Sequence, residues 1–184
     1  MVANLEATID DLYALPSDQK AEIVDGEIVL MSPSGAAPNY AAGEIFASLR
    51  EYARRTKKGC AFTDNAAFKV DLPNRKSFSP DAGFYMGKWT GMKFFEGSPV
   101  FAVEVRSEGD YGPIAESKMA RKRAHYFAAG TLVVWDVDLL GNDVIKSYSS
   151  ADPNSASIYR RGDIATAEPA VPAWSIAVDD LFIE

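Results

Sequence analysis

The run Val100-Phe101-Ala102-Val103-Glu104-Val105 constrains this chain more than any other segment. It is short, apolar and largely β-favouring, the pattern of a strand covered on both faces. A strand of that kind needs layers on either side, so the chain must fold around a central sheet. The run also carries one carboxylate. Burying an ionised carboxylate is costly unless it is paired, protonated or bound to a cation. Glu104 is therefore a core position and a candidate site at once.

The flanking segments supply the layers. Thr8–Leu15 reads as a short helix, with Thr8 as N-cap and Pro16 after its end. Ala21–Val24 and Glu27–Met31 flank Asp25-Gly26, a two-residue hairpin signal. Asn39–Thr56 reads as a helix with Ala41, Ile45, Leu49 and Tyr52 on one stripe, closed by Gly59. Ala61–Val70 reads as one strand, and Ser77–Met86 as another that Pro80 interrupts early. Ile114–Ala129 reads as a helix closed by Gly130, and Thr131–Val137 as a buried strand. Val144–Ser149, Ser157–Arg160 and Ser175–Phe182 complete the strands. The expected class is α/β (α+β), a central mixed sheet flanked by helices. One domain is expected over 1–184, divided into an N-terminal helix and hairpin (1–35), a core (36–140) and C-terminal strands (141–184).

Composition narrows the chemistry. The chain has 184 residues, enough for a core without staples. One Cys, Cys60, excludes an internal disulfide and reads as a small buried thiol. One His, His125, argues against a multi-His metal site and reads as a surface or capping residue. No apolar run reaches the roughly 18 residues of a membrane span. The start, MVANLEATIDD, lacks a signal-peptide pattern. A cytoplasmic chain without membrane partners is expected.

The net charge is −7, a poor balance for non-specific binding of polyanions. The charge is nonetheless segregated. Residues 1–44 hold eight acids and one base, whereas 50–76 hold eight bases and three acids. Lys118, Arg121, Lys122 and Arg123 form a second basic segment. Such segments are solvated helix faces or a local patch for phosphates.

Three features together suggest a site. Ser79-Pro80-Asp81 sits at a strand, Glu104 lies inside the apolar strand, and Lys118 and Lys122 lie one turn apart on the next helix. Two carboxylates with backbone carbonyls and waters suit Mg²⁺ (or Mn²⁺), a hard cation wanting oxygen ligands. A nearby lysine could position or deprotonate a water, or stabilise an oxyanion. Taken singly, each feature has an ordinary reading: a turn-forming Asp, a Glu104–Arg106 pair, and solvated lysines. Trp89 and Phe94-Phe95 either pack their loop onto the sheet or stack on a base. Trp135 reads as core.

The order Pro-Asp, Glu-x-x-Ser and a helical Lys resembles the PD-(D/E)XK, restriction-endonuclease-like superfamily. More closely, the chain resembles its Uma-type family of restriction endonucleases. The resemblance is carried by Ala21–Ile28, Met31–Ser34, Ser79–Phe84, Phe101–Ser107 and the C-terminal segment from Pro172-Ala173-Trp174 to Leu181-Phe182. Lys122, Tyr126, Gly130, Trp135 and Asp138 also match the family's Lys-x3-Tyr-x3-Gly-x4-Trp-x2-Asp pattern. It implies a metal-dependent endonuclease acting on DNA. Asp81 and Glu104 would bind the metal, with Val105 as a further ligand through its backbone. Lys122 would be the catalytic lysine, with Lys118 as the alternative one turn earlier. Arg106, two residues after Glu104, would stabilise charge or pair with Glu104. Glu44, on the first long helix, would be an additional acid near the metal. The scissile phosphate would lie over Arg54–Lys58 and Lys118–Arg123. Pro38-Asn39-Tyr40 and Val133 depart from the family pattern, which often has a His and an acid there. Alternatives are a binding module that keeps the fold, or an enzyme acting on RNA or small nucleotides. A homodimer would form through an edge such as Val144–Ser149 or the C-terminal strand.

Overall fold

The structure is a computed structural model that describes residues 6–16 and 18–183. The MVANLEATIDD start, which lacks a signal-peptide pattern, has its first five residues outside the described residues. A short helix α1 (Ile9–Tyr13) opens the fold under a capping box between Thr8 and Asp11. Strands β1 (Lys20–Val24) and β2 (Glu27–Met31) form the hairpin. Its turn residues Asp25 and Gly26 both have positive φ, as a two-residue turn requires.

Helix α2 runs Ala36–Thr56, starting before Asn39 because Pro38 is tolerated in a first turn, where the N–H needs no helical partner. It ends on Lys57, which takes the left-handed cap position expected of Gly59. Gly59 serves packing instead: a Cβ there would come within 2.5 Å of the Phe84 ring and 2.7 Å of the Tyr85 carbonyl oxygen.

Each of the two long strands expected between 61 and 86 is a pair, and each pair is shared between two sheets. β3 (Cys60–Thr63) and β4 (Phe68–Leu72) are separated by a turn at Asp64-Asn65. β5 (Arg75–Phe78) and β6 (Ala82–Tyr85) are separated at Ser79-Pro80-Asp81. The loop that follows contributes β7 (Phe95–Glu96), parallel to β4. β8 (Phe101–Val105), helix α3 (Pro113–Ala128) and β9 (Val133–Val137) form a parallel crossover unit. β10 (Ile145–Ser149) and β11 (Asp152–Tyr159) follow, the latter longer than Ser157–Arg160. β12 (Ile164–Thr166) pairs with β13 (Ser175–Ala177). The chain then turns into a 3-10 helix over Val178–Leu181, because Val178 and Leu181 must both be buried.

The central sheet has the order β11-β10-β9-β8-β6-β3, and the second sheet β2-β1-β5-β4-β7. β10 lies between β9 and β11, so Val144–Ser149 offers no free edge for pairing two copies.

β8 is covered on both faces. Phe101, Val103 and Val105 pack with Ile45, Leu49 and Tyr52 of α2 and with Trp135 and Trp174. Ala102 faces the other way, into a cluster with Phe62, Phe68, Phe78 and Tyr126. By the alternation of strand side chains, Glu104 shares that second face. No described helix is long and apolar enough to cross a membrane.

Gly83, in β6 between β3 and β8, tests this packing. A Cβ there would sit 2.2 Å from the Phe101 carbonyl oxygen and 2.6 Å from the Phe62 ring. Gly83→Ala is expected to cost about 3 kcal/mol. Thermal unfolding followed by circular dichroism should show the midpoint falling by about 2–4 °C per kcal/mol.

Candidate active site

Four elements converge where β5 hands the chain to β6. Asp81 immediately precedes Ala82, whose partner on β8 is Val103, so the same register sets Asp81 opposite Glu104. Asp81 is fixed by backbone bonds. Its N–H donates to the Val103 carbonyl at 3.0 Å, and its Oδ2 accepts the Val105 N–H at 2.8 Å. Val105 thus touches the site through its backbone, while its side chain packs toward α2.

Glu104 is only 13% exposed. Its Oε2 accepts from Lys122 Nζ at 2.7 Å, and its Oε1 accepts from the Tyr126 hydroxyl at 2.6 Å. Lys122 and Tyr126 are one helical turn apart on α3, so both reach the same carboxylate. The Tyr126 ring stacks on Phe78 with centroids 4.0 Å apart, which sets the helix face against β5.

A third carboxylate completes the group. Glu22 of β1 lies 3.0 Å from Lys122 Nζ through Oε1. That oxygen also accepts the Ser79 N–H at 2.8 Å, and Oε2 accepts from Arg75 at 2.5 Å. Arg75 Nε in turn donates to His125 Nδ1 at 3.1 Å. His125 is therefore a half-buried acceptor for Arg75 rather than a surface or capping residue. Lys20 of β1 bridges Asp64 and Asp81, lying 3.4 Å from Asp81 Oδ1.

These charges do not balance evenly. Burial pushes the Glu22 carboxyl up, but Lys122 and Arg75 outweigh it and hold it down at about 2. Glu104 is raised to about 7, by burial first, and the Lys122 ammonium only partly offsets this. Asp81 and Glu22 nearby raise it further. Burial opposes the charge on Lys122, yet Glu104 and Glu22 keep its ammonium above the ordinary lysine range. A lysine held this firmly protonated supplies positive charge and hydrogen bonds; it does not take a proton from water.

The other residues singled out in the sequence lie outside this group. Lys118 is exposed, one turn toward the start of α3, and has no carboxylate partner among the described residues. Glu44 is on α2, which packs against the opposite face of β6 and β8, and it makes no polar contact with Asp81, Glu104 or Lys122. Arg106 does not pair with Glu104. Its guanidinium grips Asp136 of β9 at 2.7 Å through two nitrogens and also binds Glu116 in the first turn of α3. Arg54–Lys58 lie at the Tyr85 end of β6, since Cys60 pairs with Tyr85 while Thr63 pairs with Ala82 beside Asp81. They do not lie over the carboxylates. In the Lys118–Arg123 segment, Arg121 pairs with Asp25 of the hairpin turn and Arg123 covers the Tyr148 ring.

Glu22, Arg75 and Lys20 escape a reading by motif. Glu22 carried one signal: it is an acid inside a short, largely apolar strand, and the structure buries it.

The chemistry of the donor set fits a divalent cation. Asp81 and Glu104 present hard carboxylate oxygens from adjacent strands, and their mutual repulsion is what a cation relieves. Among the described residues no group of three or more His, Cys, Asp or Glu is placed to hold a metal by itself. Backbone oxygen, water or substrate oxygen must complete any such site.

A family model described as Uma2, putative restriction endonuclease, matches residues 9–179. A crystal structure of a putative nuclease belonging to DUF820 from Anabaena variabilis shares this fold, with a TM-score of 0.75. It is 16% identical, and the match covers 96% of this chain and 97% of that one. No curated protein matches the chain.

The charge group makes a stability prediction. Glu22 has a folded pKa below its unfolded value, so it stabilises the fold above about pH 4.5 and ceases to as the pH falls toward 2. Glu104 acts oppositely: its contribution is lost as the pH rises from about 4.5 through 7. Glu22→Gln leaves Lys122 and Arg75 short of a carboxylate and should cost about 3 kcal/mol at pH 7. In urea unfolding at a series of pH values, the gap to wild type should narrow below pH 4.5. A gap that stays constant would contradict the assigned pairing.

Proposed function

We propose that this chain, which belongs to the Uma2 family described as putative restriction endonuclease by the match over most of its length, is a metal-dependent nuclease acting on DNA. The observation that carries the reading is the grouping of Asp81, Glu104 and Lys122 at one end of β6 and β8, with the lysine held protonated against two carboxylates. Asp81 and Glu104, helped by the Val105 backbone oxygen, would hold Mg²⁺ or Mn²⁺. Such an ion lowers the pKa of a bound water and neutralises charge on a phosphoryl oxygen.

The chain's own residues supply the remainder. Lys122 directs its ammonium at charge that develops on the phosphate. Tyr126 and Lys122 together fix the orientation of Glu104. Without a cation, burial pushes the Glu104 carboxyl up to about 7, so it would give up its proton as the metal binds. Glu22 keeps Lys122 in place, and its own carboxylate is anchored by Arg75 and the Ser79 N–H.

Cleavage of supercoiled plasmid and of single-stranded DNA, with Mg²⁺ or Mn²⁺ against a chelator, tests the reading. Cleavage should require the metal. Glu104→Ala and Lys122→Met should each lower it by about 100-fold or more, the size of effect expected for groups acting on proton transfer or transition-state charge. Lys118→Ala should stay within a few-fold of wild type. Wild-type rates in Glu104→Ala, or cleavage in the chelator, would overturn the assignment. Activity confined to RNA would move the substrate and leave the site.

A further inference from the structure

The opposite end of the central sheet carries a second unusual surface. Pairing of Cys60 with Tyr85 sets the end of α2 beside the loop that leaves β6. Residues 52–63 contain Arg54, Arg55, Lys57 and Lys58 and no acid, and residues 82–95 contain Lys88 and Lys93 and no acid. All six are exposed, and none pairs with a carboxylate among the described residues. In a chain of net charge −7 this corner is a local concentration of unneutralised cations.

The apolar side of the corner is equally distinct. Trp135 and Trp174 are buried, whereas Trp89 is 75% exposed and Met86 and Met92 of the same loop are exposed to lesser and greater degree. The Trp89 ring is braced edge-on against Phe95, with centroids 6.2 Å apart. It borders a cavity of about 250 Å³ lined by Gly59, Cys60, Tyr85, Gly87 and Trp89. In sequence Lys58 adjoins Gly59, and Lys88 lies between Gly87 and Trp89. An exposed indole among unpaired lysines matches the needs of an unstacked base and its flanking phosphates.

We propose that this corner is an accessory site for single-stranded nucleic acid, in which an unpaired base stacks on Trp89 and its phosphates meet Lys57, Lys58 and Lys88. The proposal rests on the nucleic-acid reading above. The carboxylates lie at the other end of β6, about 13 Å away along four residues of strand. The corner therefore anchors a strand and does not touch the chemistry.

The test uses the full chain carrying Glu104→Ala, titrated with oligodeoxythymidylate at low salt. Tryptophan emission should quench to saturation, and because the other two tryptophans are buried the quench should vanish in Trp89→Phe. By anisotropy of a labelled strand, Trp89→Ala should bind about fivefold or more weakly. The double variant Lys57→Glu, Lys58→Glu should also weaken binding and flatten its salt dependence. Unquenched emission, or wild-type affinity in both variants, overturns the accessory site even if the wild-type chain cleaves DNA. Quenching lost in both variants supports the site even if no cleavage is found, in which case the nuclease reading alone fails.

Discussion

The Lys122 ammonium is the interaction on which this structure depends. It lies between Glu22 of the second sheet and Glu104 of the central sheet, and it is carried by the helix that joins β8 to β9. One cation therefore ties three layers together at one point. Its sharing is unequal: Glu22 also holds Arg75, so it ionises fully, and Glu104 is left short of positive charge. With Asp81 opposite it, Glu104 forms a carboxylate pair served only by shared cations, Lys122 with Glu22 and Lys20 with Asp64. Such a pair is an expensive thing to keep for stability alone, because buried charges cost several kcal/mol each when their pairing is incomplete.

The surrounding structure holds this arrangement rigid. Ser79-Pro80-Asp81 carries the chain from one sheet to the other, and backbone groups of Val103 and Val105 fix Asp81 as it passes. Arg106 clamps the first turn of α3 to β9 through Glu116 and Asp136. Arg121 ties the middle of α3 to the hairpin turn through Asp25. The hairpin thereby presents Glu22 to the helix that presents Lys122. The departures from the family pattern at Asn39 and Val133 do not reach this group.

Much of this was legible in the sequence. The apolar run around Glu104 identifies the central strand, and the stripe Ala41, Ile45, Leu49 and Tyr52 identifies the buried face of α2, because both are periodic and local. The Asp25-Gly26 turn, the Trp135 core position and the Lys122 stripe follow for the same reason. The division of 61–86 between two sheets was not legible, since a strand that changes sheet keeps its alternation and changes only its partners. Asp64-Asn65 and Pro80 mark the breaks but do not say that the two sides part company. Arg106 and Arg75 could not be assigned, because their partners Asp136, Glu116 and Glu22 are brought to them only by tertiary packing. Lys118 and Lys122 lie on one stripe, and only the depth of α3 against β5 separates the buried lysine from the exposed one.

Under the proposed function, the Asp81–Glu104 carboxylate pair takes up a divalent cation. Calorimetric titration of Mn²⁺ into the wild-type chain and Glu104→Ala, at pH 6.5 in two buffers of different ionisation heat, measures that uptake. Binding should release a proton in the wild type, since Glu104 with a pKa of about 7 is largely protonated there, and should be lost in the variant. Undiminished binding in Glu104→Ala, or no binding to the wild type with and without DNA, would contradict it.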